Sequence, residues 1–311
     1  MGLNLQKHRI GWIGLGRMGY AMVERLAAAD VQVRGYNRTR AKAEPLAESG
    51  VGLVDHPADL ADCDIVFTMV STADDLKAVT FDKDGLFSSP DQSPQVLVEL
   101  STISAQASAE IRALALARGT EMLVVPVSGN DVVARAGKLS VMASGPRPAF
   151  DLVAPYLSCF GPSVTYIGEG DVARVVKICH NLYLGIMFEG LAEVTLLAEK
   201  HGVARHVFLD VINNSVLGST FSRYKTPVIA NLDYTVTFTN TLMRKDLDLG
   251  LKAAKESGVS LPTTQVVRDI VQACIDDGHA EADYTRILDK LAEMSGMQLA
   301  SEAASVTDGL S

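Results

Sequence analysis

The sequence predicts an α/β fold, in which a doubly wound parallel sheet is followed by an all-helical second half. Up to about Gly168, short apolar runs alternate with segments of helical periodicity, as they do in consecutive βαβ units. The first apolar run leads directly into a glycine-rich turn that opens a helix. Beyond Gly168 the strand signal disappears and helical periods continue. We therefore predict two domains, residues 1–167 and 168–311, with a flexible tail at 296–311, where the residues are small and polar.

The individual elements follow from the same periodicities. Short apolar runs predict strands at Ile10–Ile13, Val31–Tyr36, Ile65–Val70, Val96–Leu100, Met122–Val125, Leu139–Ala143 and Val164–Ile167. Helical spacing in the first half predicts helices at Met18–Ala28, Arg40–Glu48, Ala105–Arg118 and Pro148–Cys159. In the second half it predicts helices at Glu169–His201, Arg205–Asn213, Phe238–Glu256, Thr264–Asp277 and Asp283–Glu293.

Charge, cysteine content and apolar stretches argue against several classes of partner and site. With 28 Lys and Arg against 37 Asp and Glu, the net charge is −9, which argues against a general nucleic-acid partner. The four cysteines form no CxxC pair, so neither a disulfide framework nor a metal site is predicted, and a reducing, cytoplasmic compartment is expected. The most apolar stretch, Leu182–Leu197, is interrupted by Glu189 and Glu193, so no membrane span is predicted.

The glycine-rich turn predicts a nucleotide site. Gly14-Leu15-Gly16-Arg17-Met18-Gly19 follows the first strand and opens the first helix. Glycine is required there because the turn is tight, the backbone must approach a pyrophosphate, and the helix must pack against the strand. A plain glycine-rich turn is the alternative. The position in a βαβ unit favours dinucleotide binding.

The end of the second strand indicates which dinucleotide binds. An NAD site usually has Asp or Glu there to hold the ribose 2′-hydroxyl, but this strand ends in Tyr36-Asn37-Arg38-Thr39. A carboxylate would repel a 2′-phosphate, whereas Arg38 and Thr39 can bind it. We therefore predict NADP (NADPH) rather than NAD, the alternative being a solvated turn with incidental arginines.

Polar loops follow three further strands. They are Val70-Ser71-Thr72, Ser101-Thr102 and Pro126-Val127-Ser128-Gly129-Asn130. In an open parallel sheet the ligand lies beyond the carboxyl ends of the strands, so these loops suit a cofactor edge and a small carboxylate. Each could also be simply a turn or a helix N-cap.

A polar stripe on an apolar helix predicts the catalytic group. Gly170, Arg174, Lys177 and Asn181 share one helix face, and the remaining positions are largely apolar, so we expect this helix to be buried. Hydride transfer to a carbonyl requires a proton for the oxygen, and apolar surroundings lower the pKa of a lysine amine towards neutrality. We therefore predict Lys177 as the acid/base and Asn181 as its partner at the substrate. His180 is expected to pack beside them.

These motifs together resemble the β-hydroxyacid dehydrogenases, which include 3-hydroxyisobutyrate dehydrogenase, tartronate semialdehyde reductase and, more distantly, 6-phosphogluconate dehydrogenase. The resemblance runs from about Arg9 to Gly296. It rests on GWIGLGRMG (11–19), YNRT (36–39), ST (101–102), PVSG (126–129), AGKLSVMASG (136–145), G-x-G-x6-K-x3-N (168–181) and MRKDLDL (243–249).

The resemblance implies a Rossmann-type domain, a long interdomain helix and a helical domain that commonly mediates homodimers or homotetramers. It implies that Lys177 is the catalytic lysine, Asn181 a substrate-site residue and Ser128-Gly129 the cradle for the substrate carboxylate. The glycine loop, Asn37, Arg38, Thr39, Val70, Ser71, Thr102 and Lys245 would contact the cofactor.

Four positions depart from the family pattern. Asn130 replaces the second glycine of Ser-Gly-Gly and should narrow the pocket, and Val125 replaces an acidic residue. The loop after Ser101-Thr102 lacks its proline, since Ala105 stands there, and His180 replaces the first of two asparagines. The expected function is NADP-dependent interconversion of a small β-hydroxyacid and its semialdehyde or oxoacid. The four departures concern the substrate pocket, so the sequence does not assign 3-hydroxyisobutyrate as the substrate. An imine reductase and a non-catalytic NADP(H)-binding regulator are the alternatives.

Overall fold

The computed structural model describes residues 5–309. They divide into two compact units, with the boundary between Lys177 and Ile178. The strands are β1 (Ile10–Ile13), β2 (Val33–Tyr36), β3 (Gly52–Leu53), β4 (Ile65–Thr68), β5 (Val96–Glu99), β6 (Glu121–Val124), β7 (Val127–Ser128), β8 (Ser140–Ser144) and β9 (Ser163–Gly168). The helices are α1 (Arg17–Ala27), α2 (Ala73–Phe81), α3 (Ala105–Leu116), α4 (Asp131–Arg135), α5 (Arg147–Leu157), α6 (Val172–Lys200), α7 (Arg205–Asn214), α8 (Thr220–Asn231), α9 (Asn240–Ser257), α10 (Pro262–Cys274) and α11 (Ile287–Met294).

The first unit is built on one sheet with the order β3-β2-β1-β4-β5-β6-β8-β7, and β9 pairs with β8. Strands β1 to β6 are parallel, while β8 runs antiparallel to β6 and β7. Every residue of β1, β4 and β5 is buried, as expected for parallel strands covered on both faces. The predicted doubly wound sheet is confirmed. Its strand order reverses between β1 and β4, where open α/β sheets bind their ligands.

An aromatic cluster forms part of the core on one face of this sheet. The Trp12 ring stacks on Phe67 with centroids 5.1 Å apart, and Phe160 meets Trp12 edge-on at 6.0 Å. All three side chains are fully buried. Because Trp12 and Phe67 lie on β1 and β4, the packing fixes the two strands that flank the reversal point.

Several local predictions for the first unit are wrong. The helix predicted at Arg40–Glu48 is two 3-10 turns, Arg40–Lys42 and Glu44–Ser49, because Pro45 supplies no backbone donor and Gly50 ends the second turn in the left-handed region. Helix α2 is absent from the prediction, since only Leu76 and Thr80 of its nine residues are buried. The short elements β3, β7 and α4 are also unpredicted.

The second unit is helical, as predicted, with its core around Phe188, Met243, Leu247, Val267 and Ile287. Helices α6 and α9 approach closely, since a Cβ on Gly250 would lie 2.5 Å from a methyl carbon of Leu182. The prediction missed α8, which carries Pro227 in its interior.

Helix α6 has 29 residues and is long and apolar enough, by composition alone, to cross a membrane. It also supplies Ile178, Leu182, Phe188, Ala192 and Leu196 to the core of the second unit. Burial in a protein core therefore accounts for the apolar composition of these positions.

The described C-terminal segment, residues 296–309, contains no helix or strand, but it is anchored by hydrogen bonds. The Glu302 carboxylate accepts hydrogen bonds from the backbone N–H groups of Arg205 (2.7 Å) and His206 (2.9 Å), the first two residues of α7. Asn231 exchanges two 2.9 Å hydrogen bonds with the backbone of Ala304. Glu302 thus satisfies a helix start that Ala204 does not cap. The flexibility of the tail stays a prediction. Residues 310–311 lie outside the described part of the chain.

Candidate active site

The glycine loop lies between β1 and α1 and has the geometry of an anion site. Gly14 has φ +97°, and a Cβ there would lie 2.2 Å from the Met69 carbonyl oxygen. A Cβ on Gly19 would lie 2.0 Å from the Gly14 carbonyl oxygen, so the helix packs directly on the turn. A Cβ on Gly16 would instead face open space, and no side chain caps α1 there. An anion can therefore approach the start of α1, and this arrangement fits a dinucleotide pyrophosphate.

The end of β2 is tied to this loop. The Leu15 N–H donates to Asn37 Oδ1 at 3.0 Å, and Asn37 Nδ2 donates to the Thr39 carbonyl at 2.8 Å. Asn37 therefore links the glycine loop to the segment that follows β2 through hydrogen bonds. Arg38 next to it pairs with Asp75 of α2 at 3.0 Å.

The loops after β4 and β5 are also brought together. The Val70 N–H donates to Ser101 Oγ at 3.0 Å. Ser71 is exposed and Thr102 is half-buried beside this contact. Thr72 accepts a hydrogen bond from the Asp75 N–H and so caps α2. For Thr72, the alternative prediction of a helix N-cap is therefore confirmed.

The segment Ser128-Gly129-Asn130 forms a tight turn from β7 into α4. Gly129 has φ +127°, and a Cβ there would lie 2.5 Å from Leu139 Cδ2, so only glycine fits. Asn130 Oδ1 accepts a hydrogen bond from the Val133 N–H at 3.0 Å and caps α4. Asn130, which stands where the family usually has a second glycine, therefore caps α4. The narrowing of the pocket by its side chain stays a prediction.

A buried ion pair joins the start of α6 to the end of β5. Arg174 and Glu99 are both fully buried, and Arg174 Nη2 lies 2.8 Å from Glu99 Oε2. Burial raises the pKa of the Glu99 carboxyl, and the Arg174 charge opposes this rise. The guanidinium also donates to the carbonyls of Ser101 (3.1 Å) and Ile103 (3.2 Å), to Ser108 Oγ (3.1 Å) and to Asp171 (3.3 Å). The first turn of α6 is therefore fixed at the carboxyl edge of β5, and residues Val172–Lys177 belong to the first compact unit.

Sequence reasoning did not find Glu99. A signal was present, since Glu99 ends the otherwise apolar run Val96-Leu97-Val98. A carboxylate buried at the end of a central strand requires a cation. Its partner lies 75 residues away, and no local pattern indicates it.

Lys177 lies one helical turn beyond Arg174 and is half-buried. The neighbouring Val175 and Val176 are exposed. The expectation that α6 is buried on all sides is therefore wrong. In this part of the helix Arg174 is buried against the end of β5, whereas Val175 and Val176 face solvent.

In the second unit the polar stripe continues with Asn181, which is buried. Its Nδ2 donates to Asp246 Oδ2 at 2.6 Å, and Lys245 Nζ lies 3.5 Å from the other carboxylate oxygen. His180 Nδ1 lies 3.1 Å from Asn181 Oδ1, so His180 packs beside Asn181 as expected. The Asn181 amide is thus oriented by Asp246, a residue that the prediction quoted only within the MRKDLDL motif.

Within residues 5–309, no group of three or more His, Cys, Asp or Glu side chains is placed to hold a metal ion.

Comparison with known proteins assigns the family. Residues 9–168 match the model of the NAD binding domain of 6-phosphogluconate dehydrogenase. Residues 170–291 match the model described as NAD-binding of NADP-dependent 3-hydroxyisobutyrate dehydrogenase. The chain belongs to the β-hydroxyacid dehydrogenase family. Its members are NAD(P)-dependent oxidoreductases, and the fit of the glycine loop to a pyrophosphate agrees with this.

Individual relatives of this β-hydroxyacid dehydrogenase span nearly its whole length. A probable 3-hydroxyisobutyrate dehydrogenase-like protein of Arabidopsis thaliana, described as mitochondrial, is 30% identical over 94% of this chain and 96% of its own. The crystal structure of 3-hydroxyisobutyrate dehydrogenase from Salmonella typhimurium is 27% identical, with a TM-score of 0.80 over 90% of this chain and 99% of its own. A reductive aminase from Aspergillus terreus is more distant, at 21% identity and a TM-score of 0.58 over 91% and 98%, and shares the fold.

Proposed function

We propose that this protein is an NADP(H)-dependent oxidoreductase that interconverts a small β-hydroxyacid and its semialdehyde or oxoacid. One observation carries the proposal. The buried Arg174–Glu99 pair fixes the first turn of α6 at the carboxyl edge of β5, and Lys177 follows one turn later. Ligands of open α/β sheets lie beyond that edge, so the pair supports a lysine beside the reacting carbons.

The cofactor would be held by the first unit. The Gly14–Gly19 loop would bind the pyrophosphate at the open start of α1, and Arg38 and Thr39 would bind the 2′-phosphate. Val70, Ser71 and Thr102 would contact the nicotinamide side, and Lys245 of the second unit would contribute a positive charge. When bound, the nicotinamide supplies or accepts the hydride.

The protein's own groups would handle the proton and the substrate. Lys177 would donate a proton to the carbonyl oxygen during reduction and remove it during oxidation. Asn181, oriented by Asp246, would hydrogen-bond the same substrate. Backbone and hydroxyl groups of Ser128, Gly129 and Asn130 would hold the substrate carboxylate, so that uncharged substrates would react poorly.

Replacing Lys177 by Met tests the proposal. We expect kcat with C3 to C5 β-hydroxyacids to fall by about 10²- to 10⁴-fold, since general acid–base catalysis contributes that much, while the Kd for NADPH stays within two-fold of wild type. Lys200→Met is the matched control, because it makes the same change at the exposed end of the same helix, and it should leave kcat unchanged.

Three outcomes would contradict the proposal. Full turnover by Lys177→Met would remove the assigned acid/base. Turnover of cyclic imines but of no semialdehyde or hydroxyacid would indicate an imine reductase. NADPH binding without turnover of any compound in either panel would indicate a regulator.

We also propose that the protein acts in the cytoplasm as a homodimer or homotetramer, without a membrane or nucleic-acid partner. Exposed apolar side chains on α6 and α7, among them Tyr183, Leu197 and Val211, support self-association through the helical unit. Light scattering after gel filtration should give two or four times the 33.2 kDa chain mass.

A further inference from the structure

The ion pair between Arg38 and Asp75 lies beside the proposed nucleotide site. Arg38 follows β2 by two residues, and Asp75 lies in the first turn of α2, which follows β4. Strands β2 and β4 are the two neighbours of β1 in the sheet. The glycine loop at the end of β1 contacts both flanking segments, through Asn37 on one side and close to Met69 on the other. The Arg38–Asp75 pair therefore bridges the segments on either side of this loop.

The two partners differ in solvent exposure and in the number of their hydrogen bonds to other residues. The Arg38 side chain is 84% exposed, so a ligand can reach its guanidinium. The Asp75 side chain is 28% exposed, and two hydrogen bonds fix it. Its Oδ2 accepts from the Thr72 hydroxyl at 2.8 Å, and its backbone N–H donates to the same hydroxyl at 3.0 Å. Asp75 is thus a negative charge held by further hydrogen bonds, and it pairs with a cation that is accessible to a ligand.

We propose that Asp75 is a specificity-determining residue, which weakens binding of a nucleotide 2′-phosphate by competing with it for Arg38. This rests on the proposed function, in which Arg38 binds that phosphate. With NADP(H), a phosphate and a carboxylate share one guanidinium, and the two anions repel each other. With NAD(H), the neutral 2′-hydroxyl leaves the Arg38–Asp75 pair intact. Asp75 therefore lowers the preference for NADP(H) below the value that Arg38 and Thr39 alone would give.

Asp75→Asn separates this effect from the structure of the helix start, because the amide oxygen can still accept the Thr72 hydrogen bond. We expect the Kd for NADP⁺, measured by isothermal titration calorimetry at low salt, to fall by about three- to ten-fold, and the Kd for NAD⁺ to stay within two-fold. Asp75→Ser also removes the charge and should shift the ratio of the two constants in the same direction.

Asp74→Asn is the matched control. Asp74 is exposed, lies in the same first turn of α2, and loses the same charge on substitution. It should leave the ratio of Kd values within two-fold of wild type. In an Arg38→Met background the effect of Asp75→Asn should shrink by at least half, because the shared cation is gone.

An unchanged ratio in both Asp75 variants would overturn the inference, as would an equal shift in Asp74→Asn. An effect of Asp75→Asn that is undiminished in the Arg38→Met background would also overturn it. These results are distinct from a failure of the proposed function. The wild-type ratio tests whether NADP is the preferred cofactor, whereas the inference is tested by the change in that ratio between variants.

Discussion

Replacing Arg174 by Met should destabilise the protein strongly. The methionine fills part of the same volume but removes the guanidinium that contacts Glu99 at 2.8 Å in a fully buried environment. Removal of one partner leaves the other charge buried and unpaired, which costs about 3–5 kcal/mol. The carbonyls of Ser101 and Ile103 also lose a donor. We expect a loss of about 3–5 kcal/mol in the free energy of unfolding at pH 7.5.

Urea denaturation followed by circular dichroism measures this loss, and a second substitution identifies its cause. Glu99→Gln in the Arg174→Met background removes the unpaired charge, so the double variant should lose only about 1–3 kcal/mol. Arg40→Met, which breaks an exposed ion pair with Asp55, should cost less than about 1 kcal/mol. A loss below about 1 kcal/mol for Arg174→Met, or a double variant no more stable than the single one, would refute the reasoning.

Three further predictions concern other sites. Gly19→Ala should lower the free energy of unfolding by about 1–3 kcal/mol through overpacking, because a Cβ there would lie 2.0 Å from the Gly14 carbonyl oxygen. Gly16→Ala places its Cβ in open space, so it should lower the melting temperature less than Gly19→Ala and weaken NADPH binding in a fluorescence titration. Burial and the neighbouring Glu193 raise the pKa of Glu189 to about 7, so ionisation destabilises the folded state as the pH rises towards 7. The urea midpoint should therefore fall less between pH 5 and pH 8 in Glu189→Gln than in wild type. Burial raises the pKa of Glu302, but hydrogen bonds from His206 and Arg205 outweigh this and hold it below the usual range. Glu302→Gln should therefore cost about 1 kcal/mol at pH 7, and this difference should be lost as the pH falls through the lowered pKa of the Glu302 carboxyl.

The sequence predicts those parts of the fold that depend on local pattern. Strand β1 has the bounds that its apolar run predicts, and the glycine loop follows it as expected. Helix α2 escapes prediction because only two of its nine residues are buried, so its apolar periodicity is weak. The Arg40–Glu48 prediction fails because Pro45 interrupts the hydrogen bonding that the periodicity suggests.

Local sequence pattern predicts only part of the candidate site. Lys177 and Asn181 are four residues apart on one helix, so their shared face can be predicted from spacing alone. The partners that orient this face, Glu99 for Arg174 and Asp246 for Asn181, are 75 and 65 residues distant. Such pairs depend on tertiary packing, and a single sequence contains no local signal for them.

The anchoring of the C-terminal segment also bears on how the protein folds during synthesis. The start of α7 obtains its hydrogen-bond acceptor from Glu302, which lies 97 residues beyond Arg205. While the chain is still being translated, this end of α7 is uncapped and Arg205 lacks its contacts with Ala300 and Glu302. The helical unit therefore reaches its full stability only after the chain has been synthesised as far as Glu302.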